Sequence, residues 1–207
     1  MWWIREHFLQ LPCSVEANNQ QWGFGRGNHM ENLKKAYFGT GCFWGAERKF
    51  WQTKGVVSTS VGYMGGTTNN PSYEEVCTGR TGHAEVVEVT YDPSLVSFRQ
   101  LLALFWVMHD PTSFNRQGND IGSQYRSVIF FDSQEQENEA YETLGIYQSA
   151  LDKSGYGKIV TEISSAANFT YWPAETYHQR YLAKNPNGYD CHSSTGIAFP
   201  ESFAKSL

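Results

Sequence analysis

Apolar and polar positions fall into regular periods only from Lys34 onward. Ahead of it, Asn18-Asn19-Gln20-Gln21 and Gly23-Phe24-Gly25-Arg26-Gly27 hold no period, so residues 1–33 read as an irregular N-terminal extension. Lys35-Ala36-Tyr37-Phe38-Gly39 reads as a strand, and Gly41-Cys42 leads into a short amphipathic helix from Phe43 to Trp51. Val56 to Tyr63 is a second strand, closed by Gly65-Gly66 and a polar loop reaching Pro71. From Glu85 to Tyr91 the chain alternates, with Val87, Val89 and Tyr91 on one face and Glu88 and Thr90 on the other, as a half-buried strand requires.

After Asp92-Pro93, Ser97 with Gln100 three residues later forms a capping-box signature, and Phe98, Leu101, Leu102, Phe105 and Met108 follow at helical spacing. A long loop, His109 to Gln124, precedes a strand from Tyr125 to Phe131. Ser133 with Gln136 caps a third helix that turns Ala140, Leu144 and Leu151 toward the core. Lys158 to Ile163 reads as a further strand and Tyr177 to Ala183 as a short helix. Strands and helices alternate, with two strands in direct succession, which favours an α+β fold: a layer of helices on a mixed sheet. No repeat or linker divides residues 34–207, so they read as one domain whose tail becomes flexible from about residue 185.

Composition narrows the class. The 207 residues are 40% hydrophobic and only 18% charged, which suits a folded domain large enough to bury a core without staples. The formal net charge of -5 leaves no electrostatic footprint for nucleic acid. No run approaches the roughly 18 apolar residues of a membrane span, and the start, Met1-Trp2-Trp3-Ile4-Arg5-Glu6, lacks a secretory pattern. The sequence therefore predicts a soluble protein without membrane or nucleic-acid partners, cytoplasmic by default with a mitochondrial address open.

The cysteines, Cys13, Cys42, Cys77 and Cys191, are too dispersed for a disulfide framework and contain no CxxC pair. In a reducing compartment such thiols are small core hydrophobes or chemical tools. Cys42, in Gly41-Cys42-Phe43-Trp44-Gly45, sits at a strand-to-helix junction, where backbone N–H groups and the helix dipole favour thiolate; a buried structural thiol fits the same position. Glu85 precedes a run of valines, where desolvation would hold its proton near neutrality, unless it is an ordinary exposed strand end. His83 is a base for Cys42 or, the simpler reading, a structural histidine. The segment from Asn115 to Ser127 gathers polar side chains and glycines in a loop longer than a turn needs. Tyr73 lies in another polar loop. Cys191, on the glycine-rich stretch from Asn185 to Gly196, is placed to reach a second thiol or is an idle surface residue.

Taken in order, Gly41 to Gly45, Ser72 to Val76, Thr81 to Val86, Gly118 to Ser127 and Tyr177-His178-Gln179 resemble the peptide methionine sulfoxide reductase A family, over a stretch from about Tyr37 to Gly196. The resemblance implies an α/β sandwich around a ferredoxin-like plait and reduction of the S epimer of methionine sulfoxide, free or in oxidised proteins, as damage repair. It implies Cys42 as nucleophile, Glu85 as proton donor, Tyr73 and Tyr125 as hydrogen-bond partners of the sulfoxide oxygen, and Asp120 as a polar contributor. Phe43 and Trp44 would hold the S-methyl group. No metal or prosthetic group is implied; the reductant is an external thiol protein, thioredoxin. A monomer is the simplest expectation. The tail departs from a common family pattern, because Asp190 separates Gly188-Tyr189 from Cys191 and no cysteine follows. This favours a single Cys42-Cys191 disulfide over a two-step relay. Cys77 is expected to be a structural thiol.

A cysteine acyl hydrolase using Cys42 with His83 or His192 competes with this reading, as does a non-catalytic module that only binds oxidised methionine. Zinc held by the cysteines and a histidine fails on spacing.

Overall fold

The structure, a computed structural model, describes residues 32–190 and 193–200. Cys13, Cys191 and His192 lie outside the described residues.

The plait is assembled from β1 (Lys34–Thr40), α1 (Phe43–Trp51), β2 (Val56–Met64), β3 (Ala84–Tyr91), α3 (Phe98–Met108) and β6 (Ser127–Phe131), with α2 (Tyr73–Cys77) between β2 and β3. A small hairpin, β4 (Arg116–Gln117) and β5 (Asp120–Ile121), interrupts the loop after α3. α4 (Gln134–Lys153), β7 (Glu162–Ser165), β8 (Trp172–Pro173) and α5 (Tyr181–Lys184) complete the described chain. The sheet order β7-β6-β1-β3-β2-β8 contains the plait order β6-β1-β3-β2, all antiparallel; β7 pairs parallel to β6 and makes the sheet mixed.

Strand parity sorts the two faces. Val87, Val89 and Tyr91 of β3 face α1, α3 and α4 together with Ala36 and Phe38 of β1, forming the main core. The opposite parity, Ala84 and Val86, joins Met64, Val128 and Phe130 under Phe169 and Tyr171. Ser97 and Gln100 form the expected capping box, and Ser133 accepts from the Gln136 N–H. The apolar stripe of α3 is buried as its spacing requires.

Several boundaries move. The strand expected from Tyr125 starts at Ser127, because Ser123–Tyr125 close a 3-10 turn. The strand expected at 158–163 pairs only at Glu162–Ser165; upstream, the Val160 N–H is taken by the Pro111 carbonyl rather than by β6. The helix expected from Tyr177 begins at Tyr181, because Arg180 sits in the left-handed region at φ 55. Tyr73 opens a helix instead of lying in a loop: Ser72 and Glu75 form a capping box around it.

Candidate active site

Cys42 occupies the N-cap of α1, and its side chain makes no capping hydrogen bond. Gly41 supplies the sharp entry at φ +93, and a Cβ there would lie 2.6 Å from the Gln117 side chain, so the turn demands glycine twice over. Cys42 is 9% exposed, enough to line a cavity of about 120 Å³ with Phe43, Trp44, Tyr73, Glu85, Asp120, Tyr125 and Tyr189. That volume is far below the several hundred Å³ of a drug-sized site and suits the end of one side chain. The structure thus brings together Cys42, Phe43, Trp44, Tyr73, Glu85, Asp120 and Tyr125, contributed by α1, α2, β3 and the loop after α3.

Glu85 shares the parity of Val87 and Val89, so β3 delivers a carboxyl to the helix-covered face, where it is 2% exposed. Its Oε2 accepts the Phe43 N–H at 3.0 Å. Burial pushes its pKa up to about 8 and the nearby Asp120 charge adds to the rise, against the pull of the Phe43 N–H. At neutral pH this carboxyl carries a proton. Burial also raises the Tyr73 and Tyr125 phenols well above their usual range, so both remain O–H donors. Asp120 faces the same cavity with Oδ2 buried and without a hydrogen-bond partner, while its Oδ1 accepts from the Tyr189 hydroxyl at 3.4 Å.

Tyr73 is braced from outside. Glu175 accepts the Tyr73 N–H and the Tyr63 O–H, each at 2.9 Å. Trp44 donates its indole N–H to His178 Nδ1 at 3.0 Å and stacks on Tyr181 with ring centroids 3.8 Å apart. His178 is buried against Phe43 and Tyr73, and burial lowers its pKa, so it stands as a neutral acceptor. The sequence pattern assigns no role to His178 or to Tyr189. The neighbouring thiol position was the available signal for Tyr189.

His83 does not face Cys42 as a base. Its Nδ1 accepts from the Gly66 N–H and its Nε2 donates to the Thr68 carbonyl, so it fixes the loop after β2. Cys77 is exposed at the end of α2 and hydrogen-bonded with Tyr73, and partial desolvation raises its thiol pKa. Among the described residues no group of acidic, histidine or cysteine side chains is gathered to hold a metal ion. No described helix is long and apolar enough to cross a membrane.

A thiol at a helix start beside a buried, proton-bearing carboxyl is the equipment of a cysteine-dependent oxidoreductase. Residues 34–205 match the family described as peptide methionine sulfoxide reductase. The chain is 58% identical over 167 residues to the peptide methionine sulfoxide reductase MsrA of Pseudomonas putida (strain W619), covering 81% of this chain and 74% of that protein. It is 56% identical over 170 residues to MsrA 2 of Nostoc sp., covering 82% and 76%. Among solved structures, methionine sulfoxide reductase A of Corynebacterium diphtheriae superposes with a TM-score of 0.75 at 48% identity, over 82% of this chain and 84% of that one. Reduced Mxr1 from Saccharomyces cerevisiae gives a TM-score of 0.70 at 37% identity, over 80% and 93%. The chain belongs to the peptide methionine sulfoxide reductase family and is an enzyme that reduces methionine sulfoxide.

Proposed function

We propose that Cys42 reduces the S epimer of methionine sulfoxide with Glu85 as general acid. The Cys42 thiolate attacks the sulfoxide sulfur and forms an S–S bond while the sulfoxide oxygen takes the Glu85 proton; the hydroxyl then passes to Cys42 as the S–O and S–S bonds to the substrate sulfur break, leaving the electron pair on the thioether. The products are methionine and a sulfenic acid on Cys42. Tyr73 and Tyr125 donate to the oxygen as charge builds there, and Asp120 orients the polar side of the cavity. Phe43 and Trp44 enclose the S-methyl group. The observation that carries this reading is that Cys42 and the buried carboxyl of Glu85 line one cavity of side-chain size.

The second step in this reading is attack of the Cys191 thiol on the Cys42 sulfenic acid, which forms a disulfide and releases water. Two contacts support it: Tyr189 lines the cavity, and Asp190 is ion-paired with Arg48 of α1, six residues past Cys42. Residues 189 and 190 are therefore held beside the site. Thioredoxin then reduces the disulfide by dithiol exchange. The substrates are free methionine sulfoxide and oxidised proteins, and the enzyme works as a cytoplasmic monomer in the repair of oxidative damage. An acyl hydrolase would need a base beside Cys42, and His83, one of its two candidates, is spent on residues 66 and 68.

The test is a single-turnover assay on S-epimer peptide without reductant. Wild type should form one methionine and one disulfide per chain, and Cys191→Ser one methionine and a sulfenic acid trapped by dimedone. Methionine release by Cys42→Ser would overturn the scheme.

A further inference from the structure

One buried ionisable group takes no part in this chemistry. Glu47 of α1, one helical turn after Phe43, is 0% exposed. Burying a carboxyl is costly, and an apolar side chain of similar volume would pack there more favourably unless the oxygens are needed. Both are used. One oxygen accepts the Thr59 hydroxyl of β2 at 3.0 Å, and the other accepts the backbone N–H of Arg180 at 2.8 Å.

Arg180 is the N-cap of α5 and holds φ 55, ψ 38, a left-handed conformation that a side chain adopts only when its surroundings impose it. Its guanidinium lies 4.0 Å over the Trp51 ring. The next residue, Tyr181, is the one stacked on Trp44, with an interplanar angle of 15°. A continuous path of contacts thus runs from Glu47 through the Arg180 turn and Tyr181 back to Trp44, which precedes Glu47 by three residues on the same helix face.

We propose that Glu47 is a positioning residue for the substrate cavity: by accepting the Arg180 N–H it holds the left-handed turn that lays Tyr181 flat against Trp44. The inference rests on the reading of Trp44 as a cavity wall and adds to it a residue that never touches substrate. Gln179 secures the same segment independently, bonding the Val61 backbone and the Ala174 carbonyl, so loss of Glu47 loosens the turn rather than detaching the segment.

The experiment measures KM and kcat for S-epimer methionine sulfoxide with saturating dithiothreitol. Glu47→Leu removes both acceptors at similar volume and should raise KM about tenfold with kcat changed less than about twofold, the signature of lost substrate positioning. Glu47→Gln keeps an acceptor for Arg180 and should behave as wild type. Adding Arg180→Gly to Glu47→Leu should restore KM, because glycine takes the left-handed turn unaided. An unchanged KM in Glu47→Leu, or a raised KM that Arg180→Gly does not repair, overturns the proposal. Should Glu47→Leu fail to fold, the double variant must fold with wild-type KM; a double that also fails assigns the carboxyl to the core alone and overturns it too. Trp44→Ala separates the layers: an unchanged KM there refutes the cavity-wall reading, whereas a rise there without one in Glu47→Leu refutes only the role of Glu47.

Discussion

The Phe43 N–H donates to the Glu85 carboxyl across 3.0 Å, tying the first residue of the helix behind the thiol to the buried end of β3. The bond fixes the acid relative to Cys42 without ionising it, since burial outweighs the pull of one amide and leaves the pKa at about 8.

The sulfoxide-reduction step should therefore hold its rate as pH rises toward 8 and decline above it as Glu85 ionises. Stopped-flow single turnovers across pH read this limb directly. Glu85→Gln, which keeps an acceptor for Phe43, should lose about 10²- to 10⁴-fold in that step and lose the alkaline limb with it.

Stability runs in the same direction with pH. The folded carboxyl binds its proton more tightly than the unfolded one, so this group favours folding below the unfolded value of 4.5, and its contribution is lost as pH rises through about 8. Above pH 8, Glu85→Gln should be more stable than wild type by a few kcal/mol (order of magnitude), measured as a urea midpoint shift.

Tyr73→Phe and Tyr125→Phe each remove one donor to the departing oxygen. Each should slow single-turnover reduction about tenfold to a hundredfold with little change in KM, and the double variant should be slower than either.

The Arg48 and Asp190 side chains are each about one-third exposed, so their pair adds at most about 1 kcal/mol to stability. Its effect should fall on disulfide formation: Asp190→Asn should slow closure of the Cys42-Cys191 bond a few-fold, prolong the sulfenic acid and leave methionine release unchanged. Raised salt should narrow the difference between the two proteins.

How far the sequence disclosed this site depended on the range of the forces involved. Local signals were readable: the alternation of β3 turns Glu85 to the buried face, and Ser97 and Ser133 cap the helices that follow them. Ser72-Tyr73-Glu74-Glu75 carries the same signature, and its short five-residue helix sits within a polar stretch that reads as loop. Non-local bonds were not readable. The late start of α5 depends on a carboxyl 133 positions away in sequence, and two-residue β8 has no period to detect, pairing with β2 only because Gly62 admits the Trp172 carbonyl. The roles of Cys42, Glu85, Tyr73, Tyr125 and Asp120 came from the order of family-like segments, since periodicity names no reaction.

The most direct measurement presents the separated R and S epimers of a methionine sulfoxide peptide to wild type and to Cys42→Ser, with dithiothreitol, and counts methionine. Wild type should convert the S epimer alone and Cys42→Ser neither. Equal conversion of both epimers, or product from the serine variant, would contradict thiol attack within a shaped cavity.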